Sequence, residues 1–176
     1  MGRFQIKARR WMCSRLQLRA SNIQCAAIGG VLLLMIALIV RVVSGSPYRS
    51  YLMFRHLYMV PPLSLLTLLN GLLTFGLGFA LGLAFSVKKY QRCPEKYRAG
   101  MIFVLLSVCW FAAYSFFFRG CMPFPALICL ILTGILTVKC VSMFQKIHIL
   151  CGWILGAFLI WNIFLIILLI MCISFI

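Results

Sequence analysis

Few side chains in this sequence could do chemistry, and their types exclude most of it. Glu95 is the only acidic residue, and aspartate is absent. Acid–base work by paired carboxylates needs two acids at one site. A Ser–His–Asp triad lacks its third member, and no second acid exists to relay protons through an apolar interior. His56 and His148 fall on opposite faces in the topology argued below, so they cannot share a metal ion or a proton. His148 reads as an interfacial side chain, and His56 either as another or as a cover over a ligand. The nine cysteines are Cys13, Cys25, Cys93, Cys109, Cys121, Cys129, Cys140, Cys151 and Cys172, and none form a C-x-x-C pair. A metal cluster needs convergent thiolates, so these cysteines read as small apolar packing residues.

One polar group remains in an unusual place. Residues 60–86 carry no charge, yet hold Asn70 among Gly71, Gly76, Gly78 and Gly82. An amide in so apolar a run must turn inward and find a partner. It either bonds a neighbouring helix or lines a cavity. Asn70, Thr74, Leu77 and Leu81 recur on one helical stripe.

The elements that must position this amide follow from composition. The chain has 176 residues, 65% hydrophobic and 10% charged, with a net charge of +16. That is more apolar surface than a domain of this size can bury in its own core, since soluble domains are about half apolar and a quarter charged. The expected solvent is a bilayer. Five runs, at about 26–43, 63–87, 101–118, 124–141 and 149–176, approach the length that crosses it. The fold class expected is all-α, an integral membrane five-helix bundle. A basic tail, 1–24, precedes a single membrane domain, 25–176. A cleaved leader is the rival for the first run, with small residues at 44–46. The long basic lead and Arg41 at the end of the run favour a retained span.

Charge orders the spans. The tail has six Lys and Arg, the 88–98 loop five, and the fourth connection Lys139 and Lys146. The alternate connections carry only Arg41, Arg49, Arg55 and Arg119. The bias expects the N-terminus in the cytoplasm and the C-terminus outside. Cations beside spans anchor them to anionic lipid, so no nucleic-acid partner is expected. The recurrence of Phe4, Trp11 and Leu18 would also suit a tail lying in the interface.

Small residues pack helices in lipid, where apolar attraction between spans is lost. Gly78 and Gly82, Ala80 and Ala84, and Gly152 and Gly156 are spaced for this. They would admit a neighbouring helix, a flat ligand or a second copy of the chain in a homodimer. Pro61 and Pro62 suit a helix start.

At these positions the chain resembles the TspO/MBR family of tryptophan-rich sensory and translocator proteins, over about residues 48–170. Laid on Pro61 and Pro62, that family's second-span pattern puts its Trp at Asn70, its Tyr at Thr74, its Gly at Gly78 and its Ala at Ala80. Tyr51 falls on a loop aromatic. Phe117 and Phe118 match a phenylalanine pair, with the preceding Asn and Trp at Trp110 and Ala113. Ala126 and Leu127 open the fourth span, where the family's Asp is Cys129, and Phe144 is the aromatic near its end. Trp161 is the fifth-span Trp, and Ala157 and Phe158 replace a Pro-Tyr pair.

The resemblance implies five spans around a pocket under the first loop, lined by Tyr51, Asn70, Thr74, Trp110, Phe117, Phe158 and Trp161. It implies a porphyrin, haem or sterol-like ligand, no required cofactor, and a sensory, regulatory or transport-assisting role. Some relatives degrade porphyrin with pocket tryptophans. Two of those positions are Asn70 and Ala113 here, so the expectation is binding rather than catalysis. The alternative reading is an accessory subunit packed against a partner membrane protein.

Overall fold

The structure, a computed structural model, describes residues 20–45, 48–52, 60–86 and 94–174. His56, Cys13, Cys93 and most of the basic tail lie outside these. Regular structure among the described residues is entirely helical: α1 (Ala20–Val43), α2 (Tyr48–Leu52), α3 (Leu63–Ser86), α4 (Pro94–Arg119), α5 (Pro123–Ile147) and α6 (Ile149–Ser174). Five of them are long and apolar enough to cross a membrane. The protein is therefore of the multi-pass kind expected. α1, α4 and α5 run six or seven residues past the expected spans. Hydropathy marks only the oil-facing stretch, whereas the hydrogen-bond ladder continues through polar residues beyond it.

Helix ends follow local chemistry. Pro61 and Pro62 precede α3, Pro94 opens α4, and Pro123 opens α5, where a missing N–H leaves nothing unpaired. α4 ends in a Schellman turn. The Met122 N–H donates to the Phe117 carbonyl at 3.1 Å and the Cys121 N–H to the Phe118 carbonyl at 3.2 Å. Cys121, not the preceding Gly120, takes the left-handed position, with φ 57°. A single residue, His148, separates α5 from α6. Its backbone is extended, its N–H closes α5 on Phe144, and its Nδ1 accepts from the Leu150 N–H at 3.2 Å. One side chain thus caps the start of α6.

The helices pack in the ring order α1–α3–α6–α5–α4, and α4 and α1 touch only sparsely. Two kinds of seam hold it. α1 and α3 cross backbone on backbone. A Cβ added at Gly29 would lie 2.5 Å from the Gly78 carbonyl oxygen, and one at Gly82 would lie 2.9 Å from the Ala26 Cα. Gly78 and Gly82 of the uncharged run therefore admit α1, while Gly76 faces Ile154 of α6 and Gly71 meets nothing within 4 Å. α5 and α6 mesh by side chains instead. Ala126, Leu130, Thr133, Thr137, Cys140, Phe144 and Ile147 are buried at alternating steps of four and three. Cys151, Leu155, Phe158, Asn162, Leu165, Leu169 and Cys172 repeat the pattern on α6. This is the antiparallel heptad seam of a left-handed pair.

Four buried polar residues, Ser107, Thr133, Thr137 and Asn162, occupy the α4–α5–α6 interior. Ser107 and Thr137 hydroxyls are 3.0 Å apart, and Thr133 and Thr137 donate back to Cys129 and Thr133 carbonyls in their own helix. Neither amide atom of Asn162 has a hydrogen-bond partner. Cys129, Cys140, Cys151 and Cys172 are buried and unbridged, in keeping with packing roles, and the described residues hold no cluster suited to a metal ion.

Candidate functional site

At the end of the ring where α1 finishes and α3 begins, the first two spans stand off from α4. A cavity of about 170 Å³ lies between them, with α2 at its rim. Its walls follow helical spacing. α1 offers Leu33, Ala37 and Val40. α3 offers Leu63, Leu66, Thr67, Asn70 and Thr74. α4 offers Val108, Phe111, Ser115 and Phe118. Each set recurs at three or four residues, so each is one face of a helix.

The wall is more apolar than its composition suggests. The Thr74 hydroxyl donates to the Asn70 carbonyl at 2.7 Å, and the Ser115 hydroxyl to the Phe111 carbonyl at 3.2 Å. Both spend their donors within their own helices and keep only acceptor capacity for a ligand. Asn70 is different. Trp161 of α6 donates its indole N–H to Oδ1 at 2.7 Å, which ties α3 to α6 and fixes the amide. Nδ2 then has no partner among the described residues, and it belongs to a residue of the cavity wall. The amide is thus held in place, on a residue that lines a largely apolar hollow.

The rim is fixed by two further contacts. Tyr51 Oη donates to the Pro61 carbonyl at 3.1 Å, holding α2 over the start of α3. Arg119 Nη1 donates to the carbonyls of Arg41 and, at 2.8 Å, Gly45. A cation there meets the carbonyls left unpaired at the end of α1 and the negative end of its dipole. Arg41 and Arg119 both line the cavity.

The seven residues expected from the resemblance divide between wall and surroundings. Tyr51, Asn70 and Thr74 line the cavity. Trp161 reaches it through Asn70, and stacks on Phe164 with centroids 5.2 Å apart. Phe158 is fully buried behind it, edge-on to Phe111 at 5.1 Å. Trp110 is 38% exposed on the outer side of α4, and Phe117 packs in the α4–α5–α6 core. The α4 face turned to the cavity carries Phe111 and Phe118, one residue after each of these. A step of one residue turns a side chain by about 100°, enough to change its face.

Arg41, Arg119, Phe111 and Ser115 were not among the expected site residues. For Phe111 and Ser115 the available signal was the 108–111–115–118 stripe. For the arginines it was a charge closing an apolar run.

No family model, curated protein or solved structure matches the chain. The functional reading therefore rests on the geometry.

Proposed function

We propose that this is a TspO/MBR-like membrane protein that binds an apolar small molecule in the cavity between α1, α3 and α4, in a sensory, regulatory or transport-assisting role. The N-terminus is cytoplasmic and the C-terminus outside by the charge bias. The observation that carries the reading is a largely apolar hollow whose wall includes one amide fixed by a hydrogen bond from a neighbouring helix, the usual make-up of a small-molecule site. The position of the hollow under the first loop, with Tyr51 at the rim, also supports it. Binding rather than catalysis is favoured, since the described residues of the wall include no acid, histidine or cysteine.

Size narrows the ligand. The volume of about 170 Å³ is near that of an apolar cavity that takes benzene, roughly 150 Å³. It suits one ring or one chain. A whole porphyrin or haem fits only by inserting an edge and moving α1 away from α4. The accessory-subunit reading has less support, because Gly78 and Gly82 serve a contact inside the chain.

The test is a titration of the purified protein in neutral detergent, following tryptophan fluorescence with a porphyrin and with a smaller apolar ring compound. Wild type should quench saturably. Ala112 of α4 also lines the cavity, so Ala112→Phe, which fills it, should abolish saturation, and Asn70→Leu should weaken it. Equal quenching in wild type and Ala112→Phe would remove this cavity as the site.

A further inference from the structure

The cavity ends in charge that nothing in the sequence neutralises. Arg41 and Arg119 both line it, at its end toward the helix termini. Arg119 uses Nη1 for both of its bonds, to the Arg41 and Gly45 carbonyls, which holds its guanidinium beside Arg41. Its other guanidinium nitrogens have no partner among the described residues. The sequence has one acidic side chain, Glu95, in the first turn of α4. From there to Arg119 the helix climbs about 36 Å. No carboxylate side chain can reach either arginine.

Two cations at the edge of an apolar hollow call for an anion. The shape of the hollow says what is attached to it. Its α1 wall extends from Arg41 down to Leu33, about 12 Å of helix. One leaflet of hydrocarbon is about 15 Å deep. The length suits an aliphatic chain lying along the helices. The sparse α1–α4 contact gives such a chain a side by which to enter from lipid.

We infer that the cavity binds an anionic amphiphile, with a single aliphatic chain among α1, α3 and α4 and a carboxylate or phosphate head on Arg41 and Arg119. This rests on the cavity reading above and names its ligand class. Arg119 supplies a fork for two oxygens of the head, and Arg41 supplies a second positive charge. The head could belong to a free fatty acid or to an anionic phospholipid of the leaflet, since the recognised chemistry is the same.

The test uses the full chain in an uncharged maltoside detergent, with radiolabelled oleate as the probe. Unlabelled oleate, methyl oleate, dioleoylphosphatidylglycerol and dioleoylphosphatidylcholine serve as competitors. Oleate should bind saturably. Methyl oleate, with the same tail and no charge, should compete about 25-fold less well, the product of about fivefold for each of two cations at an interface. Arg41→Gln, at an exposed residue whose side chain makes no bond among the described residues, should weaken oleate about fivefold and leave methyl oleate unchanged. Displacement by the phosphatidylglycerol but not the phosphatidylcholine assigns the head to a leaflet lipid. Displacement by neither phospholipid assigns it to a free acid. If methyl oleate competes as well as oleate, the charged-head inference is wrong and the apolar-ligand reading stands. If oleate shows no saturable binding and no uncharged ligand does either, both are wrong.

Discussion

Replacing Gly29 with alanine should loosen the bundle more than its size suggests. The new Cβ would lie 2.5 Å from the Gly78 carbonyl oxygen and 3.2 Å from backbone atoms of Gly82. The first distance is roughly 0.9 Å short of ordinary contact, and the obstacle is backbone on both sides. No rotamer can yield, so the helices must separate along the crossing. A gap of 0.5–1 Å forfeits about a quarter to a half of each dispersion contact it opens. Overpacking of this kind costs about 1–3 kcal/mol. Alanine returns about 1 kcal/mol of helix propensity, so the net loss should be about 0–2 kcal/mol, and about 1–3 kcal/mol relative to an alanine that meets nothing. α1 is the least buried of the five spans and has few other contacts to compensate. The measurement is reversible unfolding in mixed micelles, with Gly71→Ala as the reference. A Cβ at Gly71 meets nothing within 4 Å, so that variant should be neutral or more stable. Equal stability of the two alanine variants would show that α1 and α3 do not cross on backbone, and the packing argument would fail.

Three other outcomes are expected. Asn162→Leu removes a buried, unpartnered amide while keeping its branching, and should raise bundle stability by about 1 kcal/mol in the same unfolding assay. Asn70→Leu and Trp161→Phe should each weaken the α3–α6 contact, and a double-mutant cycle should return a coupling of about 0.6–1.7 kcal/mol, the range for bonds between membrane helices. Zero coupling would place the indole N–H elsewhere. Cys121 is exposed in the α4–α5 turn. A membrane-impermeant maleimide added to intact cells should label it, and Cys121→Ala should lose the label. Labelling only after permeabilisation would reverse the orientation.

The five spans were legible because a bilayer leaves so few choices: apolar runs of this length must be helical, and the charge between them marks their ends. The glycines of α3 announced close packing, but not the neighbour. The same spacing suits a helix or a flat ligand, and only the paired contact at Gly29 decides it. Asn70 left two readings open, and the structure holds both at once. Its oxygen bonds a neighbouring helix, and its residue lines a hollow. The α4 wall was harder to read. A register carried over from a pattern lands one residue away, and Trp110 and Phe111 face opposite environments on adjacent positions. Apolar residues surround the whole helix in lipid, so no polar face is left to mark the orientation. Arg119 was visible as a charge but not as a cap, because its partners lie 74 and 78 residues away in the chain.

The circle of helices has four firm joints and one slack one. Glycine contact joins α1 to α3; the Trp161–Asn70 bond and the Cys151 thiol donating to the Ala80 carbonyl join α3 to α6; heptad meshing joins α6 to α5; and the Ser107–Thr137 hydroxyl pair lies in the α4–α5 joint. Between α1 and α4 there is chiefly the guanidinium grip at one end. For a ligand of the kind proposed, the path of least resistance from the membrane would run sideways, parallel to the plane of the leaflet, without passing through water. Traffic of that kind would be governed by how strongly a substance partitions into lipid, more than by its solubility outside.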